Sequence, residues 1–283
     1  MDSRTTRRFT LIAGLAMWAL AGCGRQQPAE PPAQPAAAAP APVEQPDAAL
    51  KAVKDKGVLV VGVAPFYAPF ESTNEKTKEI EGFDVDLVRA IAAKMGLGVK
   101  HKPAEWQALL GGLDKGDHDL IFSAMSKKEA AAANVEFSDV YYHLDDIIIT
   151  AKGNPKSIQG KADLKDKVVG VQLGSGSEPL ADGIKGEVGI KEVKKYKLTQ
   201  DAMNDLKAGR IDGVIAGYTF AVEQTRQDPS FVVLAAPLAS AELVGVFRKG
   251  SGSLVAEFNK ALAAVKADGT YDQLVAKWLA LGK

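Results

Sequence analysis

Few residues in this chain have the type and spacing to do chemistry. Gly174-Ser175-Gly176-Ser177 follows an apolar stretch, Val168–Gln172, and leads into a helix-like one. Small residues there let backbone N–H groups and hydroxyls approach a carboxylate at a helix N-terminus, although the same run also makes a plain tight turn. Tyr67 comes a few residues after an apolar run, where ligands of α/β sheets sit beyond the carboxyl ends of strands. Lys127 and Lys128 are adjacent cations or else a solvated surface. His101, His118 and His143 fall in no pattern of a catalytic pair, and Glu71 and Glu178 read as solvated or helix-start charges. Cys23 is the one cysteine, which excludes an intramolecular disulfide and a zinc site of several thiolates. No metal and no cofactor is expected.

The elements that would position these groups alternate. Val58–Val63 is a β-branched run suited to a strand buried on both faces, and a helix begins near Phe83 with Val85, Val88, Ala92 and Met95 on one side. Further strands are predicted at Leu120–Ser123, Asp146–Ala151, Val168–Gln172, Gly213–Ala216, Phe231–Ala235 and Val244–Arg248. Helical patterns separate them and end the chain, at Leu254–Val265 and Tyr271–Leu281. Such alternation predicts an α/β protein with mostly parallel sheets. Tyr141–Ala151 is strand-like throughout, with Asp145-Asp146 interrupting it, as for a crossover between two lobes.

Hydrophobic residues are 46% and charged ones 25%, ordinary globular values, and the 35 basic residues balance the 35 acidic ones. Nothing in that balance suggests a nucleic-acid partner. Seven of the fourteen prolines lie between Pro28 and Pro46, in a Pro/Ala/Gln stretch too poor in bulky apolar side chains to fold. It reads as an extended tether, reaching roughly 75 Å at about 3.1 Å per residue. Before it, Arg4, Arg7 and Arg8 precede an uncharged run, Phe9–Leu20, too short to span a bilayer. Residues 1–22 are therefore expected to be a removed export signal, leaving 32 basic against 34 acidic residues. Leu20-Ala21-Gly22-Cys23 resembles the lipobox of bacterial lipoproteins, which implies a lipidated Cys23 as the first mature residue and a chain anchored to a membrane. Thr6-Arg7-Arg8-Phe9 resembles the start of a twin-arginine signal, but Phe9 follows the pair directly and general secretion is preferred.

Gly82-Phe83-Asp84-Val85-Asp86-Leu87, followed by Ile91-Ala92 and Met95, resembles the signature of the family 3 extracellular solute-binding proteins, the polar amino acid-binding components of ABC importers. Further matching pieces are Tyr67-Ala68-Pro69-Phe70, Trp106-Gln107-Ala108-Leu109, Phe137-Ser138-Asp139, Gly209-Arg210-Ile211-Asp212 and Asp268-Gly269-Thr270-Tyr271-Asp272. The resemblance implies the two-lobed type II periplasmic binding protein fold, with two sheets joined by two hinge strands. The lobes are expected at residues 48–142 plus 243–283 and at 143–242, after a tether at 23–47, with hinges near His143–Asp145 and Ser240–Glu242. Tyr67 and Trp106 match the positions whose rings sandwich a ligand in the family, and Ser123 and Ser126 match hydrogen-bonding positions. Gly174, Ser175, Ser177 and Tyr218 complete the expected ligand-binding set.

Two anchors of the family are missing. It holds a ligand's α-carboxylate with an arginine six residues before Phe-Ser-Asp, which by count is Ala131 here. It holds the ammonium with an aspartate five residues after that of Gly-Arg-x-Asp, which is Gly217. Lys128, three residues before Ala131, is the candidate substitute cation. The ligand is therefore expected to be less zwitterionic than a free amino acid: a carboxylate, an amine or an aromatic metabolite. The expected protein is an exported, monomeric binding component in the periplasm or at the cell surface, delivering a small polar or amino acid-like solute to an ABC permease of the inner membrane. An enzyme like the cyclohexadienyl dehydratases, which resemble the same fold, and a sensor reporting to a membrane receptor are the alternatives.

Overall fold

The computed structural model describes residues 48–280. The export signal, Cys23 and the tether lie outside the described residues. After helix α1 (Ala48–Lys56) comes β1 (Val58–Val63), then three short strands, β2 (Phe66–Tyr67), β3 (Glu71–Thr73) and β4 (Ile80–Glu81). Helix α2 (Phe83–Lys94), β5 (Gly98–Pro103), a 3-10 turn (Trp106–Ala108), α3 (Leu109–Lys115), β6 (Leu120–Ile121), the one-turn α4 (Lys127–Ala130) and β7 (Val135–Phe137) follow. Strand β8 (Tyr142–Ala151) enters a second region of β9 (Val168–Gln172), α5 (Ser177–Val188), β10 (Glu192–Tyr196), α6 (Thr199–Lys207), β11 (Gly213–Gly217) and α7 (Tyr218–Gln227). Strand β12 (Phe231–Leu243) leads back to β13 (Val246–Arg248), α8 (Gly252–Ala267) and α9 (Thr270–Trp278).

Two five-stranded sheets result, ordered β5-β1-β6-β13-β7 and β10-β9-β11-β8-β12, with β2–β4 in a small antiparallel sheet of their own. The α/β architecture is the one the alternation predicts. The sheets are mixed rather than mostly parallel. β1 runs parallel to β5 and β6, and β9 to β10 and β11, as crossover helices require. β8, β12 and β13 pair antiparallel because the chain passes between the sheets in both directions.

Strand β12 is longer than the run Phe231–Ala235 suggested. It pairs with β8 in two registers, with a shift between Leu234 and Ala239. Pro237 sits inside that irregularity, where its missing N–H costs no ladder bond. Beyond the shift, Ser240, Ala241 and Glu242 pair with Asp145, Leu144 and His143. The edge strands β5 and β10 carry no apolar run, and sequence periodicity misses them. Their lysines suit an edge, where charge discourages further strand pairing.

The stretch from Gly82 to Met95 has a structural explanation. α2 buries Val85, Val88 and Ala92, with Met95 buried just past its end, and a Cβ on Gly82 would lie 2.1 Å from the Phe70 carbonyl oxygen at a φ of +140°. Asp84 Oδ2 accepts from the Ala124 N–H at 2.6 Å and the Tyr141 hydroxyl at 2.8 Å. Asp86 Oδ2 accepts from Trp278 Nε1 at 2.8 Å and Lys277 Nζ at 2.7 Å. One acid thus ties α2 to the loop after β6, and the other ties it to α9.

Candidate functional site

The loops at the carboxyl ends of β1, β6 and β9 meet strands β8, β11 and β12 around one cavity. It holds about 720 Å³ of space outside atoms, mouth included, of which about 60 Å³ is open to the centre of a water molecule. That is room for a small solute. Of the predicted residues, Tyr67, Trp106, Ser123, Ser126, Ser175 and Ser177 line it. Gly174, Tyr218 and Lys128 do not. Gly174 is turned to donate its N–H to Glu178 and to accept from Trp106, and Tyr218 packs into the second sheet's core. Lys128 is exposed. Phe66, 46% exposed, stands at the rim.

Four side chains bridge the cavity's two walls. Trp106 Nε1 donates to the Gly174 carbonyl at 3.0 Å, and Gln107 Nε2 donates to Leu173 at 3.0 Å and Lys197 at 3.3 Å. Tyr67 reaches across, stacks on Phe220 at 4.7 Å between centroids, and accepts the Gly217 N–H at 3.0 Å. A Cβ on residue 217 would lie 2.7 Å from that hydroxyl, so the absent side chain is what admits Tyr67. The fourth bridge is Glu129, whose Oε1 accepts the Gly176 N–H at 2.6 Å.

Glu129 overturns the expectation built on counting residues. Ala131 is exposed and outside the cavity; the side chain entering from α4 is Glu129. A capping box sets its direction: Ser126 Oγ accepts from Glu129 N, while Glu129 Oε2 accepts from Ser126 N at 2.6 Å. The pattern Ser-x-x-Glu was visible in the sequence and is the signal that could have found it. Asp146 was visible too, as a charge interrupting an apolar strand. Its Oδ1 accepts from the Ser177 hydroxyl at 2.7 Å at the start of α5. Gln172 and Thr199, which hydrogen-bond each other, also line the wall and carried no sequence signal.

Glu71 is not the solvated charge expected. It is 1% exposed, lines the cavity, and accepts from Ser123 Oγ at 2.9 Å. Ser123 in turn accepts from the Ala64 N–H. Among the described residues, Glu71 Oε2 and Asp84 Oδ1 are buried without a hydrogen-bond partner. Burial, and then the neighbouring Asp84, raises the Glu71 carboxyl well above its usual range, and burial raises Asp84 to about 7. Burial also raises Glu129 and Asp146. Burial first, then the charge of Asp146, keeps the Tyr67 hydroxyl protonated. No lysine, arginine or histidine lines the cavity among the described residues. Nor do any three or more His, Cys, Asp or Glu among them group to hold a metal ion. The arrangement can enclose a small solute between apolar and aromatic walls and offer it carboxylates.

Compared with known proteins, residues 59–281 match the model of the bacterial extracellular solute-binding proteins, family 3. The arginine-binding extracellular protein ArtP of Bacillus subtilis (strain 168) is 33% identical over 226 residues, covering 79% of this chain and 86% of that protein. An ancestral arginine-binding protein bound to arginine superposes with a TM-score of 0.73 at 35% identity, covering 78% of this chain and 98% of the other. The ancestral amino acid-binding protein AncCDT-1, a precursor of cyclohexadienyl dehydratase, gives a TM-score of 0.73 at 29% identity, covering 81% and 98%.

Proposed function

Because this chain belongs to the bacterial extracellular solute-binding proteins of family 3, we propose that it is the exported, monomeric binding component of an ABC importer, capturing a small polar or amino acid-like solute. The observation that carries this reading is the cavity itself, lined from both five-stranded sheets and spanned by side chains of one wall that reach backbone groups of the other. Residues 48–142 plus 243–283 form one lobe and 143–242 the other, and the lobes turn about the β8–β12 pairing at His143–Asp145 and Ser240–Glu242. The solute contacts both lobes and shifts the population toward the closed form. Tyr67, Trp106, Ser123, Ser126, Ser175 and Ser177 are the binding residues carried over from the sequence, joined by Glu129 and Asp146. Cys23 carries the lipid that holds the protein at a membrane, within reach of the permease.

Solution scattering tests closure: a saturating solute lowers the radius of gyration, and unchanged scattering with a solute shown to bind rules out the lobe motion. Mass spectrometry of the mature N-terminus tests the anchor, with an unmodified Cys23 counting against it.

Raised carboxyls in a cavity also suit an elimination enzyme. The dehydratase substrates prephenate and arogenate, however, carry carboxylates, and among the described residues no cationic side chain lines the cavity to hold one. The chain is therefore read as a non-catalytic binder. Product absorbance on incubation with either compound would reverse that.

A further inference from the structure

We infer that the ligand of this cavity is a small organic cation without a carboxylate group, a protonated amine or guanidinium, because Glu129 occupies the helix start where a ligand carboxylate would be held. The inference rests on the solute-capture reading and specifies its ligand. Gly176 N–H immediately precedes α5, where an anion would be favoured by the free N–H groups. It donates instead to the protein's own Glu129, at 2.6 Å. Ser177, the first residue of α5, gives its hydroxyl to Asp146. Both groups expected to meet a ligand carboxylate are therefore spent on carboxylates supplied by the chain.

What remains in the cavity has one sign of charge. The charge of Asp146 acts on Glu129, and both act on the Tyr67 hydroxyl, while Glu71, its carboxyl raised by burial, lines the same space. Lys128, exposed and outside the lining, acts on Asp146 through its charge. Buried carboxylates without a counter-charge are costly, and a cation entering between them removes that cost. An incoming carboxylate meets like charge at a few ångströms, which weakens binding by about a hundredfold or more. Apolar Leu144, Leu198 and Leu243 and the ring of Trp106 accommodate a hydrocarbon stem beside the charge.

Matched pairs differing only in the α-carboxylate provide the test. Calorimetric titration of the full chain in detergent would compare agmatine with L-arginine, cadaverine with L-lysine, and histamine with L-histidine. We expect at least one amine to bind, and about tenfold or more tighter than its parent amino acid. Glu129→Gln removes the charge and keeps one of the two acceptor oxygens; it should weaken that amine about tenfold, and equal binding by parent and variant would count against the charge as the recognition group. If any parent amino acid binds as tightly as its amine, or if no amine binds at about 1 mM, the ligand class is overturned. Tight binding of an amino acid with compaction in scattering would sink this inference and leave solute capture standing; a bound compound that produces no compaction sinks closure instead.

Discussion

At the scale of single residues, the acids of the cavity floor make the protein's stability depend on pH in an uncommon direction. Burial raises Glu71, and then Asp84 beside it adds to the effect; burial likewise raises Asp84. The folded protein therefore holds more protons than the unfolded chain from the ordinary carboxylate range up to about 7. Stability from this pair is complete below that range and is lost as pH rises through it. Glu71→Gln keeps an acceptor for Ser123 and supplies a permanent donor to Asp84. Its melting temperature should fall less between pH 5 and pH 8 than that of the parent, and an equal fall would show that the pair does not titrate as described. Gly217→Ala probes the other wall. The new methyl meets the Tyr67 hydroxyl and Leu144, each at 2.7 Å, and must displace one of them. A loss of about 1–3 kcal/mol in denaturant unfolding is expected, with weakened ligand binding, since Tyr67 loses its partner. These contacts could not be read from the sequence: Glu71 looks like any loop acid until Phe70, Ser123 and Asp84 are folded around it.

At the scale of elements, short pieces aim the site and long ones hold it. Helix α4 has one turn and little stability of its own. Its capping box does double duty, closing the helix start and pointing Glu129 into the cavity. Ser126→Ala should cost about 1 kcal/mol and loosen Glu129 as well, so that ligand affinity falls further than stability does. Calorimetry set beside thermal melts separates the two effects. α2 is held more firmly. Partial burial pushes Asp86 upward, but Lys277 and Trp278 outweigh it and hold its carboxyl below the usual range. Asp86→Ala should destabilise the fold by about 1–2 kcal/mol in denaturant titration, by freeing α9 from α2. The strands of the core, β1 and β9, were legible because burial on both faces demands unbroken β-branched runs. Edge strands β5 and β10 were not, since an edge tolerates lysine wherever the sheet's interior does not.

At the scale of the whole molecule, the described residues make contacts that cross the cavity. Gln107 contributes to closure without lining the cavity, through its bonds to the Leu173 and Lys197 carbonyls. Two such bonds contribute about 1–3 kcal/mol together. Gln107→Ala should therefore open the ligand-free protein, seen as a larger radius of gyration. It should also weaken ligand binding by about fivefold to a hundredfold, because a smaller closed fraction lowers apparent affinity. Unchanged scattering and affinity would mean that these bonds do not bias the equilibrium.

By itself the sequence determined the α/β class, the family and a few of the residues on each wall of the cavity. Those features rest on local periodicity and on motifs whose spacing is fixed within one element or turn. The tertiary structure alone decided the character of the site. Counting along the chain assigned an anchor position to Ala131, which the fold leaves outside, and passed over Glu129, which a helix cap turns inward. It also brought Glu129 to Gly176 and Tyr67 to Gly217, pairs 47 and 150 residues apart. Their meeting depends on how two sheets close against each other, and no spacing along one chain encodes that distance.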